Sequence, residues 1–185
     1  MLYKCVTKDK ANYFAQIFDA GFEVNEPIVY PNVTSLMFCA GVGTKASLRA
    51  ILDYKPNVNQ TDSVGRTALH YAARAGNQQT LETLIEVEGI DIDALSAGGM
   101  TPLMYACESG NSDCVAVCLN NSCNPFAENG FGETAKNFAE KFADAKSGEG
   151  ANMLELIELA MGQWREQVPE QELKLSLPNP SQHFK

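Results

Sequence analysis

At 185 residues, with 45% hydrophobic side chains, the chain is long enough to build one domain around a continuous core. Its 23 acidic residues outweigh 14 basic ones, for a formal net charge of -9. That balance argues against nucleic acid as a partner, because phosphate binding needs a basic stripe. No apolar run approaches the ~20 residues of a membrane-spanning helix.

The first segment has Leu2, Cys5, Val6, Phe14, Ile17 and Phe18 in a core-forming frame almost from Met1. A secretory signal is not expected there, because its residues would double as core. Tyr13, Phe14, Ile17 and Phe18 have little chain ahead of them, so this end is expected to be sticky, with Tyr13 offered to a larger assembly. The connection from Asn25 to Leu36 carries Pro27 and Pro31 around Ile28-Val29-Tyr30. Thr34-Ser35-Leu36-Met37-Phe38-Cys39-Ala40 then opens a pair of short helices separated by Gly43. The polar turn Asn59 to Gly65 leads into Thr67-Ala68-Leu69-His70-Tyr71-Ala72-Ala73-Arg74-Ala75-Gly76, followed by Leu81, Leu84 and Ile85 at helical spacing. A second polar turn, Asp93 to Gly99, leads into Thr101-Pro102-Leu103-Met104-Tyr105-Ala106-Cys107-Glu108-Ser109-Gly110. These turns read as hairpin-like projections. Thr67 and Thr101 suit helix capping, Pro102 suits a first helical turn, and Gly43, Gly76 and Gly110 suit tight turns with an unusual backbone angle. A last, stretched copy runs through Thr134-Ala135-Lys136-Asn137-Phe138, with Asn152 expected to cap a helix through Met153, Leu154, Ile157 and Met161.

The periodicity is the strongest signal. Leu36, Leu69 and Leu103 lie 33 and 34 residues apart, and one further step each way lands on Leu2 and Lys136. The chain divides into copies at 1–28, 29–61, 62–95, 96–128 and 129–162, with 163–185 leaving the repeat as an extended or disordered tail. A unit of this size cannot bury its apolar face alone, so stacking is required. A stack offers a long surface in place of a catalytic pocket, which makes binding the expected function.

The run Asp62-x-x-Gly65-x-Thr67-Ala68-Leu69-His70-x-Ala72-Ala73-x-x-Gly76, with Gly99-x-Thr101-Pro102-Leu103-x-x-Ala106 one period on, resembles the ankyrin-repeat family. The resemblance covers residues 1 to about 160. It implies an all-α solenoid of about five helix–turn–helix repeats with hairpin-like turns, and a non-catalytic role in binding protein partners, as adaptor or as structural subunit of a multiprotein complex. It also implies that His70 is a structural hydrogen-bonder tying neighbouring turns. Partner-binding positions carried over from the family are Ser63, Val64, Arg66 and Arg74 in one copy, Met100 and Glu108 in the next, and Phe131 and Glu133 in the last. Arg66, Met100 and Phe131 are residue types enriched at interface centres. In the tail, the alternating Leu173, Leu175 and Leu177 suit an extended segment lying on a partner. Asn25 sits in a turn that family members can have hydroxylated by an asparagine hydroxylase.

The competing chemistry is a thiol or metal site. Cys5 and Cys39 occupy a small inter-helix slot, and Cys107 and Cys118 read as packing, as suits reduced thiols in the cytoplasm or another reducing compartment. Cys114, Cys118 and Cys123 cluster in sequence, with Cys114 the expected exposed thiol. Neither His70 nor His183 has metal-type spacing to them, so no metal or cofactor is expected. No glycine-flanked serine, catalytic triad pattern or phosphate-cradling loop is present, so an enzyme is not expected.

Overall fold

The computed structural model describes residues 11–143 and 148–167. Within them the helices are α1 (Ala11–Asp19), α2 (Ser35–Val42), α3 (Lys45–Leu52), α4 (Ala68–Ala75), α5 (Gln78–Ile85), α6 (Pro102–Glu108), α7 (Ser112–Asn120), α8 (Ala135–Ala143) and α9 (Gly148–Gln167). Strands β1 (Pro27–Val29) and β2 (Val33–Thr34) pair antiparallel in the connection after α1. The helices form two rows. Helices α2, α4, α6 and α8 stack on one another as an inner row, and α1, α3, α5, α7 and α9 as an outer row. This is the all-α solenoid that the family resemblance implies.

The core lies between the rows and repeats with the sequence. Leu36, Leu69 and Leu103 are buried at one position, Cys39, Ala72 and Ala106 at the next, and Ile51, Leu84 and Cys118 on the outer helices. Each fully buried leucine or isoleucine contributes ~1.5–3 kcal/mol relative to an exposed one. The small residues bring inner helices close enough for that burial to continue from copy to copy.

Caps start the helices where the sequence indicates. The Thr34 and Thr101 hydroxyls accept from the Met37 and Met104 amides at 3.3 Å, and Pro102 follows at the first helical turn. Thr67 differs: its hydroxyl lies against the His70 ring, and its backbone amide donates to His70 Nδ1. The outer helices are capped by Thr44, Asn77 and Asn111. Asn77 also donates from Nδ2 to Gly43 O of the preceding copy at 2.9 Å, so one side chain caps a helix and joins two repeats. A second row of ties runs along the outer connections. Oxygens of Asn25, Asn59 and Asp93 accept the backbone amides of Asn57, Asp91 and Asn124, each in the following copy.

Three details differ from the sequence expectation. Gly76 and Gly110 are left-handed at φ 65° and 70°, but Gly43 is at φ -90°. Gly43 is required for space, since a Cβ there would collide with the Cys39 carbonyl at 2.5 Å. Asn152 does not cap the last helix; α9 begins at Gly148, with Glu149 in its first turn, and Asn152 lies within it. The helix also runs on through Gln167, past the tail boundary drawn after Gly162, because Gln163 to Gln167 are tolerant helix formers and the next proline is Pro169.

Candidate partner-binding face

The inner helices open from a row of turns, and those before α4, α6 and α8 are each built on one polar side chain, Asp62, Ser96 and Asn129. Asp62 Oδ1 accepts the Val64 and Arg66 amides at 2.9 Å, while Oδ2 accepts the Arg66 Nε and the Tyr71 hydroxyl at 2.8 Å. Burial pushes the Asp62 carboxyl up, but these donors outweigh it and hold its pKa below the ordinary value. Tyr71 is pushed up to about 12 by burial and by its bond to Asp62. Asn129 repeats the device, its Oδ1 accepting the Phe131 and Glu133 amides at 2.9 Å.

The turns are bonded tip to tip. Ser63 N donates to Pro31 O at 3.2 Å, Ala97 N to Val64 O at 2.9 Å and Gly130 N to Gly98 O at 2.9 Å. That spacing explains the turn glycines. Gly99 has φ 74°, and a Cβ there would lie 2.8 Å from Gly130 N. Both the left-handed backbone and the close approach exclude a side chain.

Below the tips a groove of about 340 Å³ crosses the last two boundaries. Arg74, Met100, Glu108, Phe131 and Glu133 all line it, so five positions drawn from three copies converge. Met100 is held from two sides: its carbonyl accepts His70 Nε2 at 2.9 Å, and its sulfur accepts Asn129 Nδ2 at 3.4 Å. Glu133 is held by Asn129 Nδ2 at 3.0 Å and by Lys141 Nζ at 2.8 Å. The Lys141 bond, then the Asn129 bond, lowers the Glu133 pKa. Phe131 is 86% exposed at its tip and does not fold back onto Phe126, which is buried. Arg74 and Glu108 are exposed and form no ion pair among the described residues.

The other expected positions fall elsewhere. Ser63 and Val64 are exposed at the neighbouring tip. Arg66 is half-buried and committed to Asp62, with its guanidinium carbon 4.9 Å from the centre of the Tyr71 ring. Tyr13 lies in α1, but its side chain is outside the described residues, as are Leu173, Leu175 and Leu177. Tyr105, Phe138 and Asn129 line the groove and were not expected in it. Tyr30 was also missed: it is 93% exposed at the first tip, one period before Ser63, a register that identifies it as a turn residue.

His70 is buried and makes the tie that the family resemblance implies. Because the Thr67 amide can only donate, Nδ1 accepts, and Nε2 carries the hydrogen given to Met100 O. Burial outweighs its partners and lowers the His70 pKa, so the ring is neutral.

The thiol reading is corrected. Cys114 is fully buried, at the position held by Ser47 and Thr80 in earlier copies, and burial pushes its thiol up to about 12. Cys123 is raised by a bond with Cys118 and by burial, and Cys107 by burial. Protonated, buried thiols are poor nucleophiles. Among the described residues no group of three or more His, Cys, Asp or Glu side chains is arranged to hold a metal ion. The exposed Asn25 spends its side-chain oxygen on the Asn57 amide, 2.8 Å away.

Stacked helix pairs with bonded turns and a groove across the inner row define a repeat protein built around a surface. A family model described as "Ankyrin repeats (3 copies)" matches residues 4–96 and 36–129. The chain belongs to the ankyrin-repeat family, whose repeats are generally protein–protein interaction modules. It is 26% identical over 129 residues to Neurogenic locus notch homolog protein 1 of Xenopus tropicalis, covering 70% of this chain and 5% of that protein. It is 28% identical over 137 residues to Tyrosine-protein kinase Shark of Drosophila melanogaster, covering 72% of this chain and 14% of that protein. Over 65 residues it is 39% identical to SMC5-SMC6 complex localization factor protein 1 of Mus musculus, covering 35% of this chain and 6% of that protein. The matched segment is a small part of each relative. Among the described residues no helix is long and apolar enough to cross a membrane.

Proposed function

We propose that the chain is a non-catalytic binding module, an adaptor or structural subunit of a multiprotein complex, whose partner enters the groove between the last inner helices. The carrying observation is Phe131, an aromatic side chain 86% exposed beside a groove whose Met100 is already fixed by two neighbours. A preordered site spends little entropy on binding, and an aromatic anchor supplies much of the contact energy. The mouse relative named as a complex localization factor supports a place within an assembly. Tyr13 and the alternating Leu173, Leu175 and Leu177 extend the reading to the two ends, and the buried thiols of Cys107, Cys114, Cys118 and Cys123 suit a reducing compartment such as the cytoplasm.

The test is native capture with quantitative mass spectrometry, wild type beside Phe131→Ala. Phe131 has little packing to lose, so the variant should keep its melting temperature. Its stoichiometric partner should fall about tenfold or more. An undiminished partner would overturn the assignment of this groove.

A further inference from the structure

We propose that the outer face carries a second docking site, between α7 and α9, for a basic amphipathic helix of a partner protein. This groove, of about 410 Å³, lies on the outer row, whereas the groove beside Phe131 lies on the inner row. Helix α9 carries two stripes. Met153 and Ile157 are fully buried against the stack, whereas Asn152, Glu155, Leu156 and Leu159 line the groove at i, i+3, i+4 and i+7. Leu156 is half-buried and packs partly against the core, whereas Leu159 is 60% exposed, so the outer end of this stripe is left uncovered by the fold.

The opposite wall is low for a reason legible in the repeat. Ala116 stands one period after Glu82, whose carboxylate accepts Gln78 Nε2 at 2.9 Å across the surface of α5. With Ala in that place α7 presents only a methyl group there. The groove runs along about two helical turns, roughly 10 Å, which suits a helix presenting its own i and i+4 anchors.

Charge selects the occupant. Asp113 and Glu155 stand at the rim and make no ion pair among the described residues, and no cationic side chain among those residues lines the groove. Glu158, one turn along, is already engaged by Lys136 at 2.8 Å. An apolar floor between unpaired carboxylates matches leucine-type anchors flanked by Lys or Arg. A second copy of this chain would bring another net charge of -9 toward the same rim, which disfavours self-association.

The probe is a synthetic helix of about 14 residues, with Leu at i, i+3, i+4 and i+7 and Lys or Arg elsewhere, titrated into the full chain by calorimetry and amide NMR. Its control has every Lys and Arg replaced by Glu. The basic helix should bind one to one, perturb Ala116 and Leu159, and leave Phe131 unmoved. Leu159→Gln should weaken Kd about tenfold and Glu155→Lys about fivefold, both with the melting temperature kept. Phe131→Ala should bind it unchanged, which separates this site from the groove on the inner row. The proposal is overturned by absent binding, by equal binding of the acidic control, by shifts centred on Met100 and Phe131, or by indifference to Leu159→Gln. Self-association that Leu159→Gln abolishes would equally overturn it, by naming a second copy as the occupant.

Discussion

Replacing His70 with Ala removes three polar contacts, two to Thr67 within its own copy and one to Met100 of the next, and the cost follows from where each partner sits. The Thr67 amide donates to Nδ1 within the buried core, and an orphaned buried donor costs ~1–3 kcal/mol. The Met100 carbonyl is only partly buried, so water recovers some of the bond it loses with Nε2. The edge-on packing of the ring on Tyr105, 5.4 Å between centroids, is worth ~0.5–1.5 kcal/mol. His70→Ala should therefore lose about 3 kcal/mol in urea unfolding at pH 8. The same geometry sets a pH dependence. The folded pKa lies below the ordinary 6.5, so the unfolded chain takes up the proton first. The contribution of neutral His70 is complete above pH 6.5 and is lost as pH falls from there to the lowered folded value. The slope from this one group is at most ~1.4 kcal/mol per pH unit. Unfolding curves for both proteins at pH 8 and pH 5.5 test this, because other titrations cancel in the comparison. Equal losses in wild type and variant would refute the buried neutral imidazole as the source.

Two further substitutions probe the ties between copies. Gly99→Ala should cost ~2–3 kcal/mol in denaturant unfolding, combining left-handed strain with the encounter at Gly130 N, whereas Gly132→Ala, also left-handed but facing open space, should cost only ~1 kcal/mol. Asp93→Asn keeps the acceptor for the Asn124 amide and installs the residue found at Asn25 and Asn59. Burial, despite that amide, raises the Asp93 pKa, so its contribution is intact below the ordinary 3.8 and is lost as pH rises through the raised folded value. The variant's melting temperature should exceed wild type at pH 7, with the gain vanishing in scans below about pH 4.

The architecture was readable because its causes recur. Leu36, Leu69 and Leu103 announce the inner helices, and Gly65 and Gly99 mark turns that no side chain would fit. What escaped depended on contact between copies. Cys114 looked like an exposed thiol within its own helix, although its register with Ser47 and Thr80, both buried, carried the opposite message. Asn25, Asn59 and Asp93 are spaced by 34 residues, but a polar residue in a turn does not reveal which amide it will accept. At the groove, Met100 and Phe131 stood out by residue type. Tyr105 and Phe138 did not, because an inner-helix aromatic reads as core until the neighbouring helix shows which edge it leaves open.

The tip-to-tip bonds have a thermodynamic consequence. Ser63, Ala97 and Gly130 each give their amide to the copy before, so the exchange of each proton reports the closure of a single boundary. The groove takes Arg74 from one copy, Met100 and Glu108 from the next, and Phe131 and Glu133 from the last. A ligand filling it spans two boundaries, and its affinity for the closed stack adds to the cohesion of both. For such a ligand, occupancy and repeat cohesion would be one linked equilibrium, its concentration setting how often the copies at either boundary part.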